Sequence, residues 1–184
     1  MTTTRTLTKP EAGTWALDPS HTRIGFVARH LMTAKVRGTF EGFSGTIDVA
    51  EDLTQSTVDV TIDTTSVNTN SEDRDNHLRS GDFFDAEAHP TMRFRSTEIN
   101  QLDDGRFEVA GDLTIRDITK PVTLDTTYLG LINDPWGNAK VLLEASAKIN
   151  REDWGLTWNA ALETGGLLVS KEITIELEVQ AAKA

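Results

Sequence analysis

The chain has no cysteine among its 184 residues, which excludes disulfides, thiolate metal sites and a cysteine nucleophile. It has no apolar run near the about 18–20 residues that a bilayer-spanning helix needs. Its opening, MTTTRTLTKPEAG, is polar and threonine-rich and lacks an apolar signal region. The expectation is therefore a cytoplasmic protein with no stable membrane insertion. Positive charge is scarce: 18 Lys and Arg stand against 29 Asp and Glu, for a net charge of -11. Such a field repels nucleic acid and anionic headgroups, so any anionic ligand must be captured by a local basic site. The histidines show neither H-x-H nor H-E-x-x-H spacing, and no nucleophile motif or phosphate-cradling glycine loop accompanies them. No metal and no cofactor is expected. Linkers, repeats and low-complexity blocks are absent too, which points to a single domain over 13–181 behind a disordered tail, 1–12.

What is present is period-2 alternation. Ile24, Phe26, Ala28 and His30 share one face of a strand, as do Val36, Gly38 and Phe40, then Ile47 and Val49, then Val58, Val60 and Ile62. Met92 and Phe94 follow, and after them Phe107 to Ile115, Val122 to Tyr128, Val141 to Ile149, and Ile173 to Val179. That makes about eight half-buried strands. The connections Asp103-Asp104-Gly105 and Asn133 to Gly137 carry residues that tolerate positive φ or preset a turn, which favours antiparallel hairpins in sequential order. Such an all-β chain closes either into a barrel or into a two-sheet sandwich, and the pattern alone leaves both open.

One stretch breaks the strand pattern. In TNSEDRDNHLRSGDFFDAEAHP, Thr69 to Pro90, a helix from about Glu72 to Ser80 is expected, capped by Ser71 or Asn70 and ended by Gly81. On its 3.6-residue period Arg74, His77 and Leu78 share a face, and Asp75 can pair with Arg79 at i,i+4.

The same stretch, R-D-x-H-L-R-x-x-D-F-F-D at Arg74 to Asp85 followed by H-P, resembles the signature of the YceI-like family of lipid- and polyisoprenoid-binding proteins. Other blocks fall in the family's order: W-x-L-D-P-S-H-T-x-I-x-F from Trp15, R-H-L-M from Arg29, V-R-G-T-F from Val36, G-D-L-T-I-R-D-I-T-K-P-V from Gly111, and I-N-R-E-D-W-G-L-x-W from Ile149. Asp117 departs from the family's turn glycine, but aspartate enters the left-handed region with modest strain. The resemblance implies an extended antiparallel up-and-down β-barrel of lipocalin type with one or two short helices, and an isoprenoid or other long lipid chain in its lumen. The implied lining is Ile24, Phe26, Phe40, Val60, Ile62, Met92, Phe94, Phe107, Val141 and Leu143. Alternation by itself reports burial, and fits a filled core equally well.

The polar residues divide in the same way. Arg74 and Asp82 read first as a structural ion-pair knot of a helix docked over a barrel end. His30, on the inward face of its strand, and His77 are either satisfied structural histidines or ligand contacts. His21 follows Asp18-Pro19-Ser20 as a turn residue within reach of backbone carbonyls or of the barrel mouth, and His89 is a loop residue. Trp15, Trp136, Trp154 and Trp158 fill the core or close a barrel end, with Trp158 a candidate ligand contact. The run from Asn150 to Asp153 reads as a solvated turn, and the segment Asn159 to Ser170, with its glycine pair, as a connection or a gate to the lumen.

Three functions follow. The first is a non-enzymatic carrier or sequestering protein for a long-chain amphipathic lipid, contacted by the lumen residues with His21, His30, Arg74, His77 and Trp158. The second is an enzyme acting on such a lipid, with His30 or His77 as acid or base and Asp82 orienting it. The third is an empty barrel that binds a protein partner. A homodimer is compatible with all three.

Overall fold

The computed structural model describes residues 7–184, and the first six residues of the expected tail lie outside them. Eleven strand segments and one helix follow one another: β1 (Gly13–Leu17), β2 (Arg23–His30), β3 (Ala34–Phe40), β4 (Phe43–Val49), β5 (Thr57–Asp63), β6 (Val67–Asn68), α1 (Glu72–Arg79), β7 (Thr91–Gln101), β8 (Arg106–Ile115), β9 (Ile118–Asn133), β10 (Ala139–Asn150) and β11 (Glu172–Lys183). Every pairing is antiparallel. With β1 and β2 taken as one bent strand, β3 and β4 as another, and the two-residue β6 as an extension of β5, eight strands close into an up-and-down barrel. Closure decides against the sandwich. The tight turn between β8 and β9 suits the twist of its strands: Arg116 and Asp117, at φ 52° and 63°, form a two-residue left-handed turn.

The join that closes the ring is a corner. At Asp18–Thr22 the first strand bends, so that β11 pairs with β2 through Thr174–Glu178 and with β1 through Ala181–Lys183. Gln180 bridges the gap: its carbonyl accepts from Asp18 N at 2.8 Å and from Thr22 Oγ1 at 3.0 Å. Asp18 in turn accepts from His21 Nδ1 and Lys140 Nζ, both at 3.0 Å. β1 was not legible as a strand, because it is short and two of its five residues are exposed.

The end of the barrel that holds β1, β4 and the distal parts of β7 to β11 is filled. Trp15, 1% exposed, packs there with Val49, Ile99, Phe107, Tyr128, Val141 and Ala181. Residues 7–12 lie along the wall: Tyr128 Oη donates to Thr8 O at 2.5 Å, Trp15 Nε1 donates to Glu11 O at 3.0 Å, and Leu7 packs against the core. A bulge between Ser96 and Glu98 shifts β7 by one residue, so its buried set passes from Met92 and Phe94 to Ile99. Strict alternation could not foresee that change of phase. Trp136 does not join the other indoles; it stands 84% exposed in the β9–β10 loop, where Asp134 organises a polar turn.

The opposite end carries α1. Ser71 caps it, accepting from Arg74 N. It stops at Ser80 in extended conformation, so Gly81 is not the left-handed cap its type suggested. Asp75 and Arg79 do not pair with each other. Asp75 is buried and accepts from Thr69 N and Oγ1 at 2.8 and 2.6 Å, whereas Arg79 reaches back to the carbonyls of Thr65 and Val67. Both bonds anchor the helix to the segment before it, and a backbone carbonyl held within the fold outcompetes a solvent-exposed ion pair.

The hydrogen bonds from His21 and Lys140 hold the Asp18 carboxyl down at about 2, against an ordinary value of 3.8. A depressed carboxylate contributes stability that is complete above its unfolded value and lost as pH falls through its folded one. Asp18→Asn should therefore lower the melting temperature clearly near neutral pH, and the gap between variant and parent should close as pH falls from 3.8 towards 2. Paired thermal melts across that range test this. A constant gap would place the stabilisation outside the carboxylate's charge.

Candidate functional site

Beneath α1 the barrel is hollow. A cavity of about 460 Å³ is walled by Ile24, Phe26, Phe40, Ile62, Met92 and Phe94 on one side. Leu113, Ile115, Val122, Ile149, Ile173, Ile175 and Leu177 form the other. Its mouth lies among Arg29, His30, Thr69, Asp73, Arg74, His77, Phe83, Arg151, Trp158 and Leu168.

The lumen stays open because two aromatic rings lie flat on its wall. Phe26 sits directly across from Gly38 in the β2–β3 ladder, and a methyl group on Gly38 would overlap its ring. Gly111 on β8 gives the same room to Phe94 on β7, and a side chain there would also strike Arg95 O. A strand glycine removes packing surface, and here the neighbouring ring restores it.

Of the residues expected at the site, Ile24, Phe26, His30, Phe40, Ile62, Arg74, His77, Met92, Phe94 and Trp158 line this cavity. Val60, Phe107, Val141 and Leu143 lie outside it, against the packed core. The lumen thus occupies one end of the barrel. His21 is outside as well, on the closing corner, where its partner is Asp18.

The mouth is built on α1 and the turn after it. Arg74 donates from Nε to Thr69 Oγ1 and from Nη2 to Thr69 O, each at 2.8 Å, so it braces the helix start from within the cavity wall. His77 Nε2 lies 2.9 Å from Asp82 Oδ2. Its ring meets the edge or face of Trp158 and Phe83 at centroid distances of 4.5 and 5.0 Å. His30 has no side-chain hydrogen-bond partner among the described residues, and its strand position turns it inward.

Arg151 was missed. Its acidic neighbours suggested a solvated turn, yet it is 4% exposed. It donates to Leu156 O at 2.6 Å, Ser170 O at 2.8 Å and Val169 O at 3.4 Å, and packs over the Phe83 ring. Burial pulls its pKa below the ordinary arginine value, with the nearby Glu152 charge opposing. These bonds fasten the segment Asn159 to Ser170 at the mouth, where Leu168 and Val169 line the cavity. The wall residues of β8 to β11 were visible as alternating strands, but alternation does not say which end of a barrel is empty.

The sequence matches the YceI-like domain over residues 15–181. The chain belongs to that family. It is 39% identical over 165 residues to a UPF0312 protein of Staphylococcus epidermidis, covering 89% of this chain and 94% of the relative. The YceI protein of Campylobacter jejuni superposes with a TM-score of 0.73 at 31% identity, over 85% of this chain and 90% of that one. A polyisoprenoid binding domain from Saccharophagus degradans shares the fold at TM-score 0.71 and 16% identity, over 92% and 98% of the two chains. The YceI-like barrel expected from the sequence blocks is therefore the observed one. Among the described residues no group of three or more histidine or carboxylate side chains is placed to hold a metal ion. No described helix is long and apolar enough to cross a membrane.

If the glycines keep the lumen open, Gly38→Ala should push the Phe26 ring inward and cut uptake of an apolar, environment-sensitive dye by about tenfold, the loss of roughly 1.4 kcal/mol. Gly38→Ala combined with Phe26→Leu should recover it. Dye titration of the two variants against the parent checks this; an unchanged affinity in Gly38→Ala would mean that the ring finds another position on the wall.

Proposed function

We propose that this protein carries or sequesters one long-chain amphipathic molecule, an isoprenoid lipid or similar, with its tail in the cavity and its polar head at the α1 mouth. The observation that carries this reading is the cavity: an apolar hollow of about 460 Å³ opening onto arginine and histidine side chains. A methylene fills roughly the ~30 Å³ that a water molecule occupies in the liquid, so the hollow suits a tail of about fifteen carbons. Each methylene transferred from water contributes about 0.8 kcal/mol, ample for stable retention. The Saccharophagus degradans neighbour is described as polyisoprenoid-binding, but its 16% identity carries the fold alone. The tail is argued from the lining of this chain.

A second reading has one specific observation behind it. The His77–Asp82 pair has the form of an oriented acid or base at a cavity mouth. Against it, Thr69 is the one hydroxyl side chain on the cavity wall among the described residues, and its Oγ1 is already engaged by Asp75 and Arg74. Carriage without chemistry is the better-supported function.

Native mass spectrometry followed by organic extraction should show a single co-purifying chain-bearing molecule whose mass stays unchanged on prolonged incubation. A changed mass would favour the enzyme. Delipidated protein that binds neither polyprenyl nor fatty-acyl compounds at micromolar concentration would count against both. Phe94→Trp should shrink the lumen while keeping it apolar, and so weaken long-chain ligands more than short ones; overpacking of this kind costs about 1–3 kcal/mol. Equal affinities across a chain-length series would mean that the tail lies away from Phe94.

A further inference from the structure

We infer that the bound amphiphile has an anionic head, a carboxylate or a phosphate, and that Arg151 is the residue that receives it. This deepens the proposed carriage of a chain and rests on it. Arg151 is 4% exposed, yet no carboxylate lies within salt-bridge distance of it among the described residues. The nearest acidic neighbour in sequence, Glu152, turns instead to Lys171 at 3.6 Å. The three protein acceptors of Arg151 are carbonyls of Leu156, Val169 and Ser170, which offer dipoles but no countercharge. A guanidinium has five N–H donors in a fixed fork. Nε uses its single donor on Ser170, while Nη1 and Nη2 each spend one and keep one.

A cation buried without a counter-ion is strongly unfavourable, and proteins relieve that state by pairing it. Arg151 lies on the cavity wall and over the Phe83 ring, which also contacts His77. Its remaining donors therefore belong to a wall on which, among the described residues, Asp73 at the mouth is the one carboxylate. Arg74 and Arg29, by contrast, are exposed, so water takes the donors that they do not spend on Thr69 and on Thr33 O. A planar guanidinium with two free N–H groups is suited to the two oxygens of a carboxylate or phosphate. In a chain of net charge -11, such an anion gains nothing from the overall field and needs this contact.

The test compares acids with the matching alcohols on delipidated protein by calorimetry: palmitate against hexadecanol, and farnesyl phosphate against farnesol. The acid of at least one pair should bind about tenfold or more tighter than its alcohol, and the pair that shows it identifies the head as carboxylate or phosphate. Arg151→Gln should erase that preference by bringing the acid down to the affinity of its alcohol, and Arg151→Lys should keep part of it. Because Arg151 also fastens three carbonyls, the glutamine variant can unfold, so the unmutated protein supplies an independent measurement. Its Arg151 Nε–H resonance should move on adding the acid and stay in place with the alcohol. Equal affinity for acid and alcohol in the parent would overturn the inference and leave chain carriage standing. So would an acid preference that survives in Arg151→Gln. Failure of all four compounds to bind would overturn both.

Discussion

The structure depends on the bend in its first strand at Asp18–Thr22. Along each of its two edges a straight strand pairs with one partner, as β11 does with β10. Here the bend lets β11 pair with β2 above the corner and with β1 below it, so a single strand closes the barrel at both levels. Gln180 holds the gap by accepting from Asp18 and Thr22. Asp18 then pins the corner to β10 through Lys140, in an ion pair that is mostly shielded from water. The block D-P-S-H-T is local, but its effect is to join residues more than a hundred positions apart.

Below the corner the ring is tight enough for Trp15, Phe107, Tyr128 and Val141 to fill it; above, the same alternating pattern surrounds a hollow. The difference lies in where the large side chains go. At the packed end they point across the ring into one another. At the open end Phe26 and Phe94 lie against glycines of the neighbouring strands and leave the centre free. Close packing is the default of protein interiors, and holding a cavity open takes such an arrangement of ring on backbone.

The helix and the loop that frame the mouth are fastened in the same way. Arg74, Arg79 and Arg151 each direct their guanidinium to main-chain carbonyls: Thr69, then Thr65 and Val67, then Leu156, Val169 and Ser170. Irregular backbone next to a cavity would otherwise leave those carbonyls without donors. The arginines differ in what remains. Arg74 is exposed and Arg79 half-buried, so water reaches the donors they leave unspent, whereas Arg151 combines deep burial with two donors unspent. That contrast divides a brace from a binding group more sharply than the charge on a helix face does.

Much of this was legible in the chain. Alternation located every long strand, the charged run at Glu72 identified the helix, and ordered motif blocks named the family. Each of these signals is local, because side-chain direction repeats with the backbone and turn residues act over a few positions. Tertiary structure decided the rest. Val60 and Ile62 alternate alike, yet Ile62 lines the cavity and Val60 does not, since depth along a barrel is set by how strands are staggered. Trp136 and Trp154 are the same residue type, but Trp136 stands in water while Trp154 is buried and donates to Leu113 O. Arg151 sits in an acidic turn that reads as solvated, and it is buried because Leu156, Val169 and Ser170 return over it from later in the chain. The sequence by itself determined which faces are apolar; only the closed ring determined which of those faces meet one another and which meet an empty space, because that depends on strands brought together from opposite ends of the chain.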